Sequence, residues 1–252
     1  MLKYRFIPFL ALLLLFASCK SSNRFTVEKK PQYKIAANDS LVPDSAILNF
    51  IQPYKEKLDS SMNIRLCSSE MVMGKDQPES LLGNFVADLC LKQAEPLAAE
   101  KNLKIDFCFF NNGGLRNTLP AGNILMRNIY ELMPFDNELV LLVLDGNTTL
   151  QLINTIIENG GVPVSGIRIL INKTAGAQAS VQGKPFELSR DYVVLTSDYL
   201  ANGGDKYDFL KNRKAYIQTG LLMRDAIINH CRETEKSGKK ISSALDKRIR
   251  YE

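Results

Sequence analysis

TSDYLANGGDKYDF, residues 196–209, follows the apolar run 192–195 and packs an aromatic ring, a glycine pair and an aspartate into seven positions. The run before it reads as a strand, so the stretch is at least the turn that ends one. It is also built like a clamp. Tyr199 offers a flat face for offset stacking. Asp205 carries acceptor oxygens for hydroxyl or amino groups, or for tying down its own loop. Gly203 and Gly204 lack a Cβ and let backbone approach a ring closely. On these residues alone, turn and clamp both stand.

Outward from this stretch, KIDFCFF (104–110), LVLLVLDG (139–146), GIRILINK (166–173) and DYVVLTSDY (191–199) read as strands. SAILNFIQPYKEKLDSSM (45–62) has helical spacing and a Ser/Asp start. PESLLGNFVADLCLKQAEPLAAEKN (78–102) is a helix with a buried face, which Pro96 is expected to bend or interrupt. NTTLQLINTIIENGG (147–161) is a helix capped at Asn147 or Thr148, and TGLLMRDAIINHCRETEKSG (219–238) is a late amphipathic helix. The irregular alternation predicts an α+β (mixed α/β) domain, a mixed sheet covered by helices rather than a doubly wound parallel one. Neither the dinucleotide glycine fingerprint nor a phosphate loop with GK[ST] is present.

Two more turns follow apolar segments. In FFNNGGLRNTLPAGNI (109–124), Gly113 and Gly114 allow positive φ and close ligand approach, and Asn111 pairs a donor with an acceptor for a base edge or ribose. Arg116 brings a planar cation suited to phosphate or carboxylate. A plain glycine hairpin with a surface arginine fits the same letters. In NIYELMPFDNEL (128–139), Phe135 sits in a loop beside Asp136 and Asn137; it is a stacking face or a core plug.

The start of the chain reads as an export signal. Lys3 and Arg5 precede the apolar run 6–17, which is too short to cross a bilayer, and the run ends in FASC (16–19). The pattern resembles a bacterial lipoprotein signal, with residues 1–18 removed and Cys19 acylated. An ordinary signal peptide with an incidental cysteine, or a membrane-anchored start, is the alternative. Residues 19–47 are polar and read as a tether, and residues 48–252 suffice for one domain with a full core. The expectation is an exported protein, lipid-anchored to a bacterial membrane and facing the periplasm. Residues 210–252 hold eleven Lys/Arg against five Asp/Glu, but no interleaved aromatics suggest a nucleic-acid platform. Cys67, Cys90, Cys108 and Cys231 lack CxxC spacing, which argues against zinc, and the compartment permits disulfides. Cys90 and Cys108 lie in apolar patterns as core thiols. The single histidine, His230, cannot build a His-rich metal centre.

Taken together, NNGGLR, MPFDN, LDGNTTLQLIN, VSGIRI and SDYLANGGDKYDF occur in the order and spacing of the carboxy-terminal domain of the 5'-nucleotidases, and ESLLGNFVADL resembles its leading helix. The resemblance covers residues 48–250. It implies a nucleotide or nucleoside site in which Phe135 and Tyr199 stack on the base, Asn111 faces the base, Asp205 the ribose and Arg116 the phosphate, with Gly113, Gly114, Asn137, Gly203 and Gly204 around them. The family's further arginine ahead of the leading helix is missing: MGKDQPES (73–80) offers only Lys75. The resemblance also implies that two metal ions sit in a preceding metallophosphatase domain, which this sequence does not show. No cofactor is therefore expected in this chain, and a divalent metal pair is expected in a separate metallophosphatase partner. The expected role is the nucleotide-binding half of a split 5'-nucleotidase, binding without hydrolysing by itself. The alternative is a free-standing nucleoside-capturing lipoprotein.

Overall fold

A computed structural model describes residues 44–172 and 176–252; the expected signal segment, Cys19 and most of the expected tether lie outside them. Contacts divide the chain into a unit that ends at Leu48 and a main unit, Asn49–Glu252, and the division falls inside helix α1 (Ser45–Met62). Asp44 starts α1, its Oδ1 accepting from the amides of Ala46 at 2.8 Å and Ile47 at 3.2 Å. In the described residues no helix is long and apolar enough to cross a membrane.

The main unit is built on a five-stranded mixed sheet with strands β2 (Phe107–Phe109), β4 (Glu138–Leu144), β5 (Val164–Ser165), β9 (Tyr192–Ser197) and β10 (Ala215–Leu222), in the order β10-β4-β9-β2-β5. Only β2 and β9 run parallel; the other pairs are antiparallel. Both faces are covered, which is why LVLLVL reads as an unbroken apolar run. Because side chains alternate along a strand, Leu139 and Leu141 enter one apolar cluster while Val140, Leu142 and Leu144 enter the other. The first cluster is closed by α2 (Leu81–Ala99), α3 (Met126–Leu132) and α6 (Met223–Lys236). The second is closed by α4 (Gly146–Glu158) through Leu152, Ile153 and Ile156. Truncating a fully buried leucine such as Leu141 to Ala would cost about 2–5 kcal/mol.

Two smaller sheets flank this core. β1 (Arg65–Ser69) pairs antiparallel with β3 (Gly122–Leu125). β11 (Ile249–Tyr251), β6 (Ile167–Asn172), β7 (Gly176–Val181) and β8 (Lys184–Pro185) form a four-stranded sheet in that order. A short helix, α5 (Asp198–Ala201), follows β9 directly.

Three local expectations are corrected. Pro96 does not interrupt α2, which runs unbroken to Ala99; it sits one turn from the end, where buried Ala94 and Ala98 hold the helix in place. The cap of α4 is Asp145, not Asn147 or Thr148: its Oδ1 accepts from Thr148 N at 2.7 Å. Residues 219–222 finish β10 rather than opening α6, because a register shift between Gln218 and Leu222 lets the strand continue through Gly220.

Candidate functional site

Topology brings the three turns together. β9 and β2 are parallel neighbours, so their carboxy-terminal ends, and the loops carrying Tyr199 and Asn111, emerge on one edge. β4 is antiparallel to β9, with Leu139 opposite Ser197, so the amino-terminal end of β4 and its leading loop, with Phe135 and Asn137, reach the same edge. Between them lies a cavity of about 280 Å³, lined by Asn111, Gly113, Gly114, Arg116, Phe135, Asn137, Tyr199 and Asp205. Small-molecule sites typically occupy about 300–1,000 Å³, so the cleft is at the compact end.

Phe135 is 42% exposed and Tyr199 46%, both toward this cleft. That exposure excludes the core-plug reading of Phe135. Large rings left half uncovered beside one cavity give it two stacking surfaces.

Asp205 is the polar hub. Tyr199 Oη donates to its Oδ1 at 2.8 Å, and Asn111 Nδ2 donates to its Oδ2 at 2.6 Å. The carboxylate in turn pushes the Tyr199 phenol above its ordinary 10.0, through that hydrogen bond first and its charge second. Asp205 and Lys206 have left-handed backbone at φ 52° and 68°, uncommon for residues other than glycine. The two side-chain bonds hold this strained turn and leave the carboxylate with lone pairs facing the cleft.

The glycines serve in ways the letters did not disclose. Gly113 and Gly114 do not adopt positive φ; they lie in a 3-10 turn, Asn112–Gly114. A Cβ on Gly114 would come within 2.8 Å of Asn111 Oδ1, so glycine there keeps the Asn111 amide in place. Gly203 and Gly204 are not on the cavity wall. Gly203 makes the turn at φ 95°, and a Cβ on Gly204 would meet the Tyr199 ring at 2.5 Å. The pair makes room for the protein's own ring.

Arg116 donates from Nη1 to Gly113 O at 3.3 Å and pairs with no carboxylate among the described residues, so an anion in the cleft would meet a free cation. Lys75, the only cation expected nearby, donates instead to Leu115 O at 2.7 Å and props the Arg116 turn from behind. Among the described residues, no cluster of three or more His, Cys, Asp or Glu could hold a metal ion.

One residue of the site went unnoticed in the sequence. Arg224, buried in the first turn of α6, reaches under the Phe135 loop. Its Nη1 donates to Met133 O at 3.3 Å and Phe135 O at 3.4 Å, its Nη2 to Asp136 Oδ1, and its guanidinium lies 4.4 Å from the centre of the Tyr130 ring. The signal was an arginine among the apolar α6 residues Met223, Ala226 and Ile227, where a charge has to find partners.

The chain is similar to curated proteins named 5'-nucleotidase. That of Vibrio parahaemolyticus is 24% identical over 211 residues, covering 78% of this chain and 36% of the relative. Protein UshA of Escherichia coli is 18% identical over 206 residues, covering 79% and 36%. The chain thus spans about a third of the length of these relatives. Its fold resembles the crystal structure of a 5'-nucleotidase precursor from Thermus thermophilus, with a TM-score of 0.66 at 24% identity over 82% of this chain and 42% of that one. It also resembles the Haemophilus influenzae NAD nucleotidase, with a TM-score of 0.60 at 16% identity over 82% and 41%. The model of the 5'-nucleotidase C-terminal domain matches residues 62–212, a stretch that holds every residue lining the cleft. By that match, the chain belongs to the 5'-nucleotidase C-terminal domain family.

Proposed function

We propose that this domain binds a nucleotide in the cleft, with the base between Phe135 and Tyr199, the ribose hydroxyls on Asp205 and the phosphate toward Arg116. The observation that carries the reading is the pair of half-exposed rings sharing one cavity with a hydrogen-bonded carboxylate. The domain would present the bound nucleotide to a separate metallophosphatase chain, whose metal pair would supply the activation of water. Its own share is binding and orientation. Export and an acyl anchor at Cys19 belong to the same proposal.

A second reading, capture of nucleosides without hydrolysis, is favoured by one specific observation. Lys75 is committed to Leu115 O, so among the described residues Arg116 is the single cation on the cleft wall. Two measurements separate the readings. Calorimetry with adenosine and AMP measures what the phosphate adds. Mixing the chain with a metal-loaded metallophosphatase domain, while following phosphate release from AMP, measures cooperation. Rates that never exceed those of the phosphatase alone overturn the split enzyme. Adenosine affinity unchanged in both Phe135→Ala and Tyr199→Ala overturns the clamp, since each ring contributes about 1–3 kcal/mol when it stacks.

A further inference from the structure

Strand β1 packs against helix α6, and the two meet at two nearby points. Arg65 Nη1 lies 2.6 Å from Glu235 Oε1. Two residues along the strand and one turn back along the helix, Cys67 and Cys231 are neighbouring side chains. Both thiols are fully buried in the same apolar cluster, and both are free.

The other two described cysteines are arranged differently. Cys108 Sγ donates to the Ala87 carbonyl at 3.3 Å, so its thiol is already used within the core.

We infer that Cys67 and Cys231 are a disulfide site, which closes when the domain folds in the presence of a disulfide oxidant. The thiolate of one of the pair attacks the oxidant's S–S bond, forming a mixed disulfide and releasing one oxidant thiol. The thiolate of the other then attacks the protein sulfur of that mixed disulfide, forming the protein's S–S bond and releasing the second thiol; two protons leave the protein. The oxidant gains the two electrons that the cysteines lose. Exchange takes place before α6 seals the strand, since the closed core excludes the oxidant.

The bridge joins residues 67 and 231, near opposite ends of the main unit, so it closes a long loop and removes much freedom from the unfolded chain. The full chain, purified reduced, is held in a glutathione redox buffer with mild denaturant, which lets it open and reclose. Free thiols are then alkylated and non-reduced peptides mapped by mass spectrometry. The expected result is a peptide linking Cys67 to Cys231, with Cys90 and Cys108 alkylated. The oxidised protein melts higher by roughly 5–15 °C than the same sample after reduction. The double variant Cys67→Ala with Cys231→Ala shows no redox-dependent shift. Recovery of Cys67 and Cys231 as alkylated thiols, their linkage to other cysteines, or an unchanged Tm on reduction overturns the inference. Because mapping uses the unaltered chain, a variant that fails to fold leaves the test intact.

Discussion

Replacing Arg224 by Met retains most of the side-chain volume and removes the guanidinium donors beneath the Phe135 loop. The two carbonyl bonds, at 3.3 and 3.4 Å, are long, so each contributes about 0.5–1 kcal/mol. The guanidinium over the Tyr130 ring adds about 0.5–2 kcal/mol. The Asp136 carboxylate is mostly exposed, which limits its pairing to about 0.2–1 kcal/mol. These contacts share one side chain and do not simply add, so about 2–4 kcal/mol holds the loop. Binding loses less than that, because Arg224 acts on a ligand only through the ring it positions. The ceiling is the Phe135 stack itself, about 1–3 kcal/mol, or roughly 5- to 150-fold in Kd. The assay is a double-mutant cycle for adenosine by calorimetry, with circular dichroism confirming the fold of each variant. Arg224→Met weakens binding, Phe135→Ala weakens it at least as much, and the double variant is no worse than Phe135→Ala. Wild-type affinity in a folded Arg224→Met protein refutes the reasoning, and so do losses that add in the double variant.

Gly204→Ala drives a methyl to 2.5 Å from the Tyr199 ring and swings it from the cleft, so nucleoside binding falls about as far as in Tyr199→Ala; titration calorimetry compares the two. Tyr199→Phe keeps the ring but frees Asp205 Oδ1, and binding drops by only about 0.5–1.5 kcal/mol; a loss as large as that of Tyr199→Ala contradicts a stacking role. In the unaltered protein the Tyr199 phenol titrates above its ordinary 10.0, and Asp205→Asn brings it down, read by NMR of ring-labelled tyrosine. Burial holds His230 below its ordinary 6.5, packed edge-on to Phe85 with its Nδ1 unpartnered, while Lys92 and Glu233 contribute opposing charge effects. The unfolded chain takes up a proton near 6.5 and the folded chain does not, so stability is full above that value and falls as pH drops below it. Melting curves between about pH 7 and about pH 5 show the decline, and His230→Phe flattens it.

Much of the sheet was legible because its strands are covered on both faces and so read as apolar runs. Site residues were legible where they cluster in short motifs: eight of those named in the three turns line one cavity. What could not be read depends on partners distant in sequence. Arg224 is separated from Phe135 by seven strands, β4 to β10, and by the helices α4 and α5, and no local pattern links them. The role of Lys75 depends on the Leu115 carbonyl, and that of Gly204 on the direction of the Tyr199 ring. Ends of elements were misplaced for a similar reason: the cap at Asp145 and the continuation of β10 to Leu222 are decided by hydrogen bonds and register, not by hydrophobic period.

The shared strand edge has a consequence for how binding can be observed. Asn111, Phe135 and Tyr199 come from separate excursions of the chain, and the parallel pairing of β2 with β9, Phe107 beside Val194, is needed before they meet. An unfolded or half-assembled chain therefore has no fragment of the site to offer. A nucleoside acts as a selective weight on the native state alone, and each tenfold excess over Kd adds about 1.4 kcal/mol to unfolding. Thermal shift across a panel of nucleosides then ranks affinity without any turnover to follow.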